Sequence, residues 1–354
     1  MVKLAPNLIL KREITKQEQL QRRLTQEIIV EEREKLLTQI QELRSEEKNR
    51  IIEEDIVPHE TLTKELFKTL VVNPVQAVKL YDESGLIHLL LPELELMKGC
   101  TQPEKFHSEG DVWTHTLMML EKLDDPEFKE LFPNLKVSGD FILGCLLHDA
   151  GKPATRVIDD ATHPPKIKFY GHAEEGVAIA KKVCARLKLT NASHDKIIFM
   201  IKEHMFVMSA PKINQFRTHK FALRYIDSPF STELLALFYL DMSCSLRPDG
   251  SADYTSFEET LNRIDEIKQT RARQPKKIID GAKIIELLDI TPGPFVSCLI
   301  DLINELKDQG KINRPGDAEK FLRDNSIALK KIRDEYSLLH NNDCVEKIIK
   351  KLGL

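Results

Sequence analysis

The chain has 354 residues, of which 42% are hydrophobic and 31% are charged, with a formal net charge of −4 at pH 7. These totals are typical of a soluble globular protein of two or three domains, and the net charge argues against a broadly basic surface that coats nucleic acid. We expect no membrane segment or signal peptide, because no apolar run approaches the roughly 20 residues that span a bilayer. The cysteines are widely spaced without a C-x-x-C pair. We interpret all six as reduced core residues, which favours a cytoplasmic location.

Residues 1–58 form a highly charged segment. Between Lys11 and Asp55, sparse apolar residues recur at helical spacing among many Glu, Gln, Arg and Lys residues. The pattern predicts one long, solvated helix that acts as a short coiled coil, and hence an oligomer contact, or as a docking arm. An exposed helix without a specific partner explains the pattern equally well. No glycine precedes Gly85, which argues against a Gly-rich phosphate loop in the first quarter of the chain.

Pro58 marks a predicted boundary, and residues 59–250 predict a helical domain. A single β-hairpin is predicted at residues 157–170, where turn residues separate two short β-prone runs. Residues 251–354 predict a further helical domain, which includes helices at Thr255–Thr270, Ala318–Leu339 and Asn342–Leu352. The helices predicted in the first domain are Thr61–Thr69, Pro74–Ser84, Asp111–Leu123, Ser138–Asp149, Gly171–Leu187, Ser193–Phe206 and Ser231–Ser245.

The stretch from Phe141 to Lys152 is a run of apolar residues that ends in His148, Asp149 and Gly151. A segment that is apolar on all sides predicts a buried helix, and the glycine just beyond it is the usual stop signal. A buried carboxylate needs a partner, because an unpaired buried charge is costly. A metal ion is a partner that the adjacent histidine would also bind.

Each predicted helix of this region carries a polar residue in apolar surroundings. Together they are His115, His148 with Asp149, His172, His204 and Asp241. Successive positions are 23 to 37 residues apart, so any shared site is formed by tertiary folding. Taken singly, a histidine on a half-apolar helix is more often a core or surface residue than a ligand. The joint pattern favours a helical-bundle site for one or two ions of Mn, Fe, Co, Ni, Zn or Mg.

The order of these residues resembles the signature of the HD-domain superfamily of metal-dependent phosphohydrolases. His172 and His204 resemble the additional histidines of its two-metal members. The runs around His115, His148 and His172 are similar to the HD region of bacterial tRNA nucleotidyltransferases, the CCA-adding enzymes, and the similarity covers roughly residues 62–324. Those enzymes also have an N-terminal head with a Gly-rich strand and an Asp-x-Asp pair. The first 84 residues here contain no glycine and only two aspartates, so nucleotide addition is not expected.

The predicted fold class is all-α. The resemblance implies an HD-type bundle, and the residue patterns add one short hairpin, a long N-terminal helix and a C-terminal helical domain. The resemblance also implies metal-dependent hydrolysis of a nucleotide, a cyclic nucleotide or an RNA 3′ end. The expected primary metal ligands are His115, His148, Asp149 and Asp241, and His172 and His204 would hold a second ion or contact the phosphate. His148, Asp149 and Lys152 are the expected catalytic residues, and Lys152 and Arg156 would contact the substrate.

Two interpretations compete with the hydrolase. One is a nucleotide-sensing or tRNA-binding module, in which the basic run from Arg271 to Lys277 contacts an RNA backbone. The other is a scaffold whose N-terminal helix carries the interaction. Near the site, Glu109 and Asp111 are expected to cap the helix of His115.

Overall fold

The computed structural model describes residues 59–159, 166–208, 218–336 and 344–354. The helix predicted over residues 1–58 lies outside these ranges, so the coiled-coil and docking interpretations stay predictions. Apart from one antiparallel hairpin, the regular structure of the described residues is helical, which confirms the all-α class. Among these residues, no helix combines the length and the apolar character needed to cross a membrane.

The elements follow one another along the chain and are numbered here in that order. They are α1 (His59–Val72), α2 (Pro74–Glu83), α3 (Leu86–Leu90), the 3-10 helix Pro92–Met97, α4 (Val112–Lys122), α5 (Pro126–Leu131), α6 (Gly139–Leu147), α7 (Lys152–Thr155), β1 (Val157–Asp159), β2 (Lys166–Lys168), α8 (His172–Arg186), α9 (Asn191–Glu203), α10 (Met205–Met208), α11 (Thr218–Tyr225), α12 (Ser231–Cys244), α13 (Thr255–Ala272), α14 (Gly281–Leu288), α15 (Pro294–Asp308), α16 (Pro315–Asp324), α17 (Ser326–Tyr336) and α18 (Cys344–Leu352).

The described residues form two compact units. The first contains residues 59–205 and 232–254, and the second contains residues 206–231 and 255–354, with the gaps given above. Residues 206–231 thus belong with the C-terminal helices although they interrupt the first unit in sequence. The predicted domain limits at residues 58 and 250 stay predictions.

Helix α6 is the centre of the first unit. It packs against α1, α4 and α9, and its side chains from Phe141 to Leu147 are buried. Burial of each large apolar side chain contributes about 1.5–3 kcal/mol to stability. Because α6 buries apolar side chains on every face, as its sequence predicts, it is strongly held in the unit. A buried, rigid helix holds the residues that follow it in a fixed position.

Gly151 has a different role from the one that the sequence predicts. Its backbone has φ −80° and ψ −14°, which is right-handed, so it does not end the helix as a left-handed cap. A Cβ atom at this position would lie 2.1 Å from the carbonyl oxygen of His172 and 2.6 Å from the amide nitrogen of Gly176. The stop-signal prediction is wrong, because glycine is needed here for the close approach of the first turn of α8 to the turn after α6.

The second unit has its own apolar core, built from helices α14 to α18. Cys298 on α15 is bonded to Cys344 on α18, so the prediction that all six cysteines are reduced is wrong for this pair. The other four cysteines are free and buried, as predicted. The pair escapes sequence analysis because 46 residues separate its members and only the packing of α15 on α18 brings them together.

The long helix predicted over residues 318–339 is divided at Asn325. Helix α16 ends at Asp324 and α17 begins at Ser326. The Asn325 side chain donates a hydrogen bond from Nδ2 to the carbonyl oxygen of Phe321, at 2.8 Å. The asparagine side chain thus competes with backbone amides for a carbonyl group and interrupts the helix. The apolar spacing of the sequence continues across this point and therefore does not reveal the break.

Candidate metal centre

His148 and Asp149 follow directly after the buried helix α6, and both are buried. The last carbonyl groups of a helix have no amide partner within it. One of them, that of Cys145, accepts a hydrogen bond from Nδ1 of His148 at 2.8 Å. The imidazole is therefore held by the end of its own helix, with Nε2 directed away from it.

All four histidines of the predicted set are anchored through Nδ1. Nδ1 of His172 donates to the carbonyl oxygen of Phe169 at 2.9 Å, and Nδ1 of His204 donates to that of Ile201 at 2.6 Å. A carbonyl oxygen only accepts hydrogen bonds, so in the neutral rings Nδ1 carries the proton and Nε2 carries a lone pair. In three of the four, the partner is the carbonyl group three residues earlier. The exception is His115, whose Nδ1 lies 2.9 Å from a carboxylate oxygen of Glu109.

The structure brings the six predicted residues together within the first unit. Nε2 of His148 lies 3.1 Å from Oδ2 of Asp149, and Nε2 of His115 lies 3.1 Å from Oδ1 of Asp241. Nε2 of His172 and of His204 lie 3.5 and 3.8 Å from Oδ1 of Asp149. Asp149 consequently lies between two histidine pairs, with His115 and His148 on one side and His172 and His204 on the other.

The charges of the cluster are set by burial and by these contacts. Burial opposes protonation of His115, but hydrogen bonds to Asp241 and Glu109 outweigh it and raise its pKa to about 9. Burial lowers the pKa of His204 to about 4. Burial also opposes ionisation of Asp149 and Asp241, yet the neighbouring histidines hold both carboxyl pKa values below their usual range. Because a metal ion binds a deprotonated imidazole nitrogen, cation binding at Nε2 of His115 requires that this nitrogen carry no proton.

Lys152 belongs to the same buried group. Its Nζ lies 2.6 Å from Oδ2 of Asp149 and donates to Oε1 of Gln102 at 2.7 Å. It is the first residue of the four-residue helix α7, and its side chain is buried. Arg156, by contrast, donates to the backbone oxygen and the hydroxyl group of Thr101 and contacts none of the six clustered residues in the contacts described.

Glu109 lies in the cluster and has contacts other than those that the sequence predicts. Asp111 does cap α4, because its Oδ1 accepts from the amide of Thr114 at 2.8 Å. The Glu109 carboxylate instead binds His115, His107 and the amide of Leu246, and these bonds outweigh its burial and lower its pKa to about 2. The capping prediction is therefore wrong for Glu109. Its neighbours in sequence are polar, so no apolar pattern marks it as buried.

The donor set fits a divalent cation. Nε2 of His148 is buried and forms no hydrogen bond within the described residues, although Oδ2 of Asp149 lies 3.1 Å from it. Nε2 of His172 faces Nε2 of His204 at 3.2 Å, and two lone pairs at that distance repel each other unless a proton or a cation lies between them. Buried imidazole and carboxylate groups that converge from several helices are a recurrent way to hold one or two metal ions in a helical bundle.

Fold and site together define a helical protein with a buried His/Asp cluster of the kind that binds divalent metals. The sequence profile of the HD domain matches residues 112–291, about half of the chain, and the chain therefore belongs to the HD domain family. This finding confirms the predicted family resemblance.

Comparison with known proteins identifies several relatives, two of which are named tRNA nucleotidyltransferases. The chain is 27% identical over 246 residues to the A-adding tRNA nucleotidyltransferase of Deinococcus radiodurans. The aligned residues make up 68% of this chain and 52% of the relative. It is 26% identical over 270 residues to the CC-adding tRNA nucleotidyltransferase of Thermus thermophilus. The aligned residues make up 76% of this chain and 57% of the relative. A third relative, the multifunctional CCA protein of Shewanella frigidimarina, is 34% identical over 122 residues, which cover 34% of this chain and 26% of the relative. The chain thus spans about half the length of the first two relatives.

Proposed function

We propose that this chain is a metal-dependent phosphohydrolase that cleaves a phosphoester bond in a nucleotide, a cyclic nucleotide or an RNA 3′ end. The observation that carries the proposal is the position of Asp149 between two sets of histidine nitrogens. Its oxygens and the ligand atoms of each set lie within 4.8 Å of one another. Membership of the HD domain family supports the metal-dependent chemistry. The tRNA nucleotidyltransferases among the relatives support a nucleotide or RNA substrate.

The proposed ligands of the first ion are His115, His148, Asp149 and Asp241. His172 and His204 would hold a second ion together with Asp149, or contact the phosphate if only one ion binds. A divalent ion in such a site supplies Lewis-acid chemistry, since it polarises a phosphoryl oxygen and lowers the pKa of a bound water. The hydrogen bonds at Nδ1 keep each imidazole oriented and favour the tautomer that can bind a cation.

Lys152 is proposed to stabilise negative charge on the phosphoryl oxygens during cleavage. Its ammonium group is buried and already fixed by Asp149 and Gln102, so little reorganisation would be needed when charge develops beside it. Arg156 is half-buried and held by Thr101, next to Gln102 in sequence. We propose that it contacts a more distant part of the substrate.

The test is hydrolysis by the purified full chain after loading with Mn²⁺, Co²⁺ or Ni²⁺. The substrate panel comprises a 2′,3′-cyclic nucleotide, a 2′-nucleotide and an RNA with a terminal cyclic phosphate. His148→Ala and Asp149→Ala should abolish metal-dependent hydrolysis while the helical circular dichroism signal is retained. His194→Ala, which removes a partly exposed histidine that pairs with Asp195, is the matched control. Absence of hydrolysis for every substrate and metal would refute the proposal.

A second candidate function is RNA binding by the second unit. Arg271 is held by Asp227 and Asp308, so it is not available to a phosphate, but Arg273, Lys276 and Lys277 are exposed. Replacement of these three residues by Ala in the full chain should reduce the slope of log affinity for tRNA against log salt by about 2 to 3 if each one contacts a phosphate. An unchanged slope would exclude this basic run as the RNA contact.

A further inference from the structure

Tyr170 is an exposed aromatic residue two positions before His172, a proposed metal ligand. It lies between β2 and α8, and 74% of its surface is accessible to solvent. The next residue, Gly171, has φ +76°, a conformation that favours glycine, and this turn directs the chain into α8. Tyr170 is thus held on a tight turn and does not pack into the core.

The residues on both sides of Tyr170 are fixed to the candidate site. The carbonyl oxygen of Phe169 accepts the hydrogen bond from Nδ1 of His172, and the Phe169 ring centroid lies 5.5 Å from Nζ of Lys152. Nε2 of His172 lies 3.5 Å from Oδ1 of Asp149. The backbone at Tyr170 therefore has a defined position relative to Lys152 and His172, two groups that are proposed to contact the phosphate or its metal ion.

Positive charge accompanies the exposed ring. Nζ of Lys168 lies 5.8 Å from the centroid of the Tyr170 ring, and it also pairs with Asp159 on the neighbouring strand. A second exposed aromatic residue, Phe106, has the same arrangement with Lys105, whose Nζ lies 5.0 Å from its ring. Phe106 directly precedes His107, which binds Glu109 and through it His115. Two segments that are anchored to the site thus present an aromatic ring and a cation to solvent.

We infer that the Tyr170 ring stacks on a nucleobase of the substrate while the phosphate of that nucleotide lies at the metal centre. The inference rests on the proposed function and narrows its substrate class to nucleotides, free or at an RNA end, whose base is unpaired. Single exposed aromatic residues are common on protein surfaces. Tyr170 differs from them because its backbone is fixed to the site by His172 and Phe169. A stacked base needs no specific hydrogen bond, so discrimination between bases should be weak.

The experiment compares two cyclic phosphates that share the reacting group but differ in the base. One is a nucleoside 2′,3′-cyclic phosphate, and the other is glycerol 1,2-cyclic phosphate, which has no base. Hydrolysis by the metal-loaded full chain is followed by phosphorus NMR for the wild type and for Tyr170→Phe, Tyr170→Leu and Tyr170→Ala. Leu131→Ala, which removes an exposed apolar side chain on α5, is the control.

We expect Tyr170→Ala and Tyr170→Leu to raise KM for the nucleoside substrate about tenfold, with kcat nearly unchanged. Tyr170→Phe and Leu131→Ala should resemble the wild type, and no variant should alter hydrolysis of the glycerol compound. An unchanged KM in Tyr170→Ala would overturn the inference, as would an equal loss on both substrates, which would indicate a structural role at His172. If the wild type hydrolyses neither compound, the inference is overturned, whereas the proposed function fails only if the 2′-nucleotide and the RNA substrate are not hydrolysed either.

Discussion

Replacement of Gly151 by alanine tests whether the close approach of α8 to the turn after α6 sets the geometry of the site. The added Cβ would lie 2.1 Å from the carbonyl oxygen of His172, whereas ordinary contact begins at 3.4 Å. The first turn of α8 must therefore move by roughly 1 Å, since backbone atoms cannot rotate away as a side chain can. Overpacking of this kind typically costs about 1–3 kcal/mol.

The displacement should also impair the site, because His172 is the first residue of α8 and lies close to Asp149. A misplacement of about 1 Å can reduce catalysis about 100-fold. Stability is measured by urea unfolding followed through the fluorescence of Trp113, the single tryptophan, which lies on α4 in the first unit. Metal affinity of the same variant is measured by calorimetric titration.

Gly144→Ala provides a matched control on α6. Its Cβ would meet Cε and Sδ of Met200 at 2.8 and 2.9 Å, and a methionine side chain can adopt another rotamer. The gain in helix propensity, about 1 kcal/mol, should offset most of the remaining cost. A Gly151→Ala variant with the unfolding free energy and metal affinity of the wild type would refute the explanation given for this glycine.

Three further predictions follow from particular contacts. Glu109→Gln should lower metal affinity about 10- to 100-fold, because the carboxylate that orients His115 loses its charge; unchanged calorimetric affinity would contradict this. Thiol titration of the denatured, unreduced chain should detect four free thiols, and reduction of the bond between Cys298 and Cys344 should lower stability by about 4 kcal/mol for a loop of 46 residues. Burial opposes ionisation of Asp308, but Arg271 outweighs it and lowers its pKa. The resulting stabilisation is complete above the unfolded pKa of about 3.9 and is lost as pH falls through the lower folded pKa. Asp308→Asn should remove this acid-dependent part, measured as the acid transition followed by circular dichroism, and an unchanged acid transition would count against the ion pair.

The amino-acid sequence alone was sufficient for the fold class and for the six histidines and aspartates that meet at the candidate site. Helical periodicity is a local property, so the positions of most helices can be inferred from it. Polar residues inside apolar helices, such as His115 and Asp241, are conspicuous because burial of a charge needs compensation. This reasoning identifies which residues are unusual, but it does not show which atoms they present.

Only the tertiary structure showed how those residues are held. The anchoring of His148 and His204 through Nδ1 depends on carbonyl groups at helix ends, and the orientation of His115 depends on Glu109, whose burial no local pattern indicates. The requirement for glycine at position 151 comes from a helix that begins more than 20 residues later. Periodicity and residue type report each segment's own preference, whereas contacts between distant segments arise only when the helices pack.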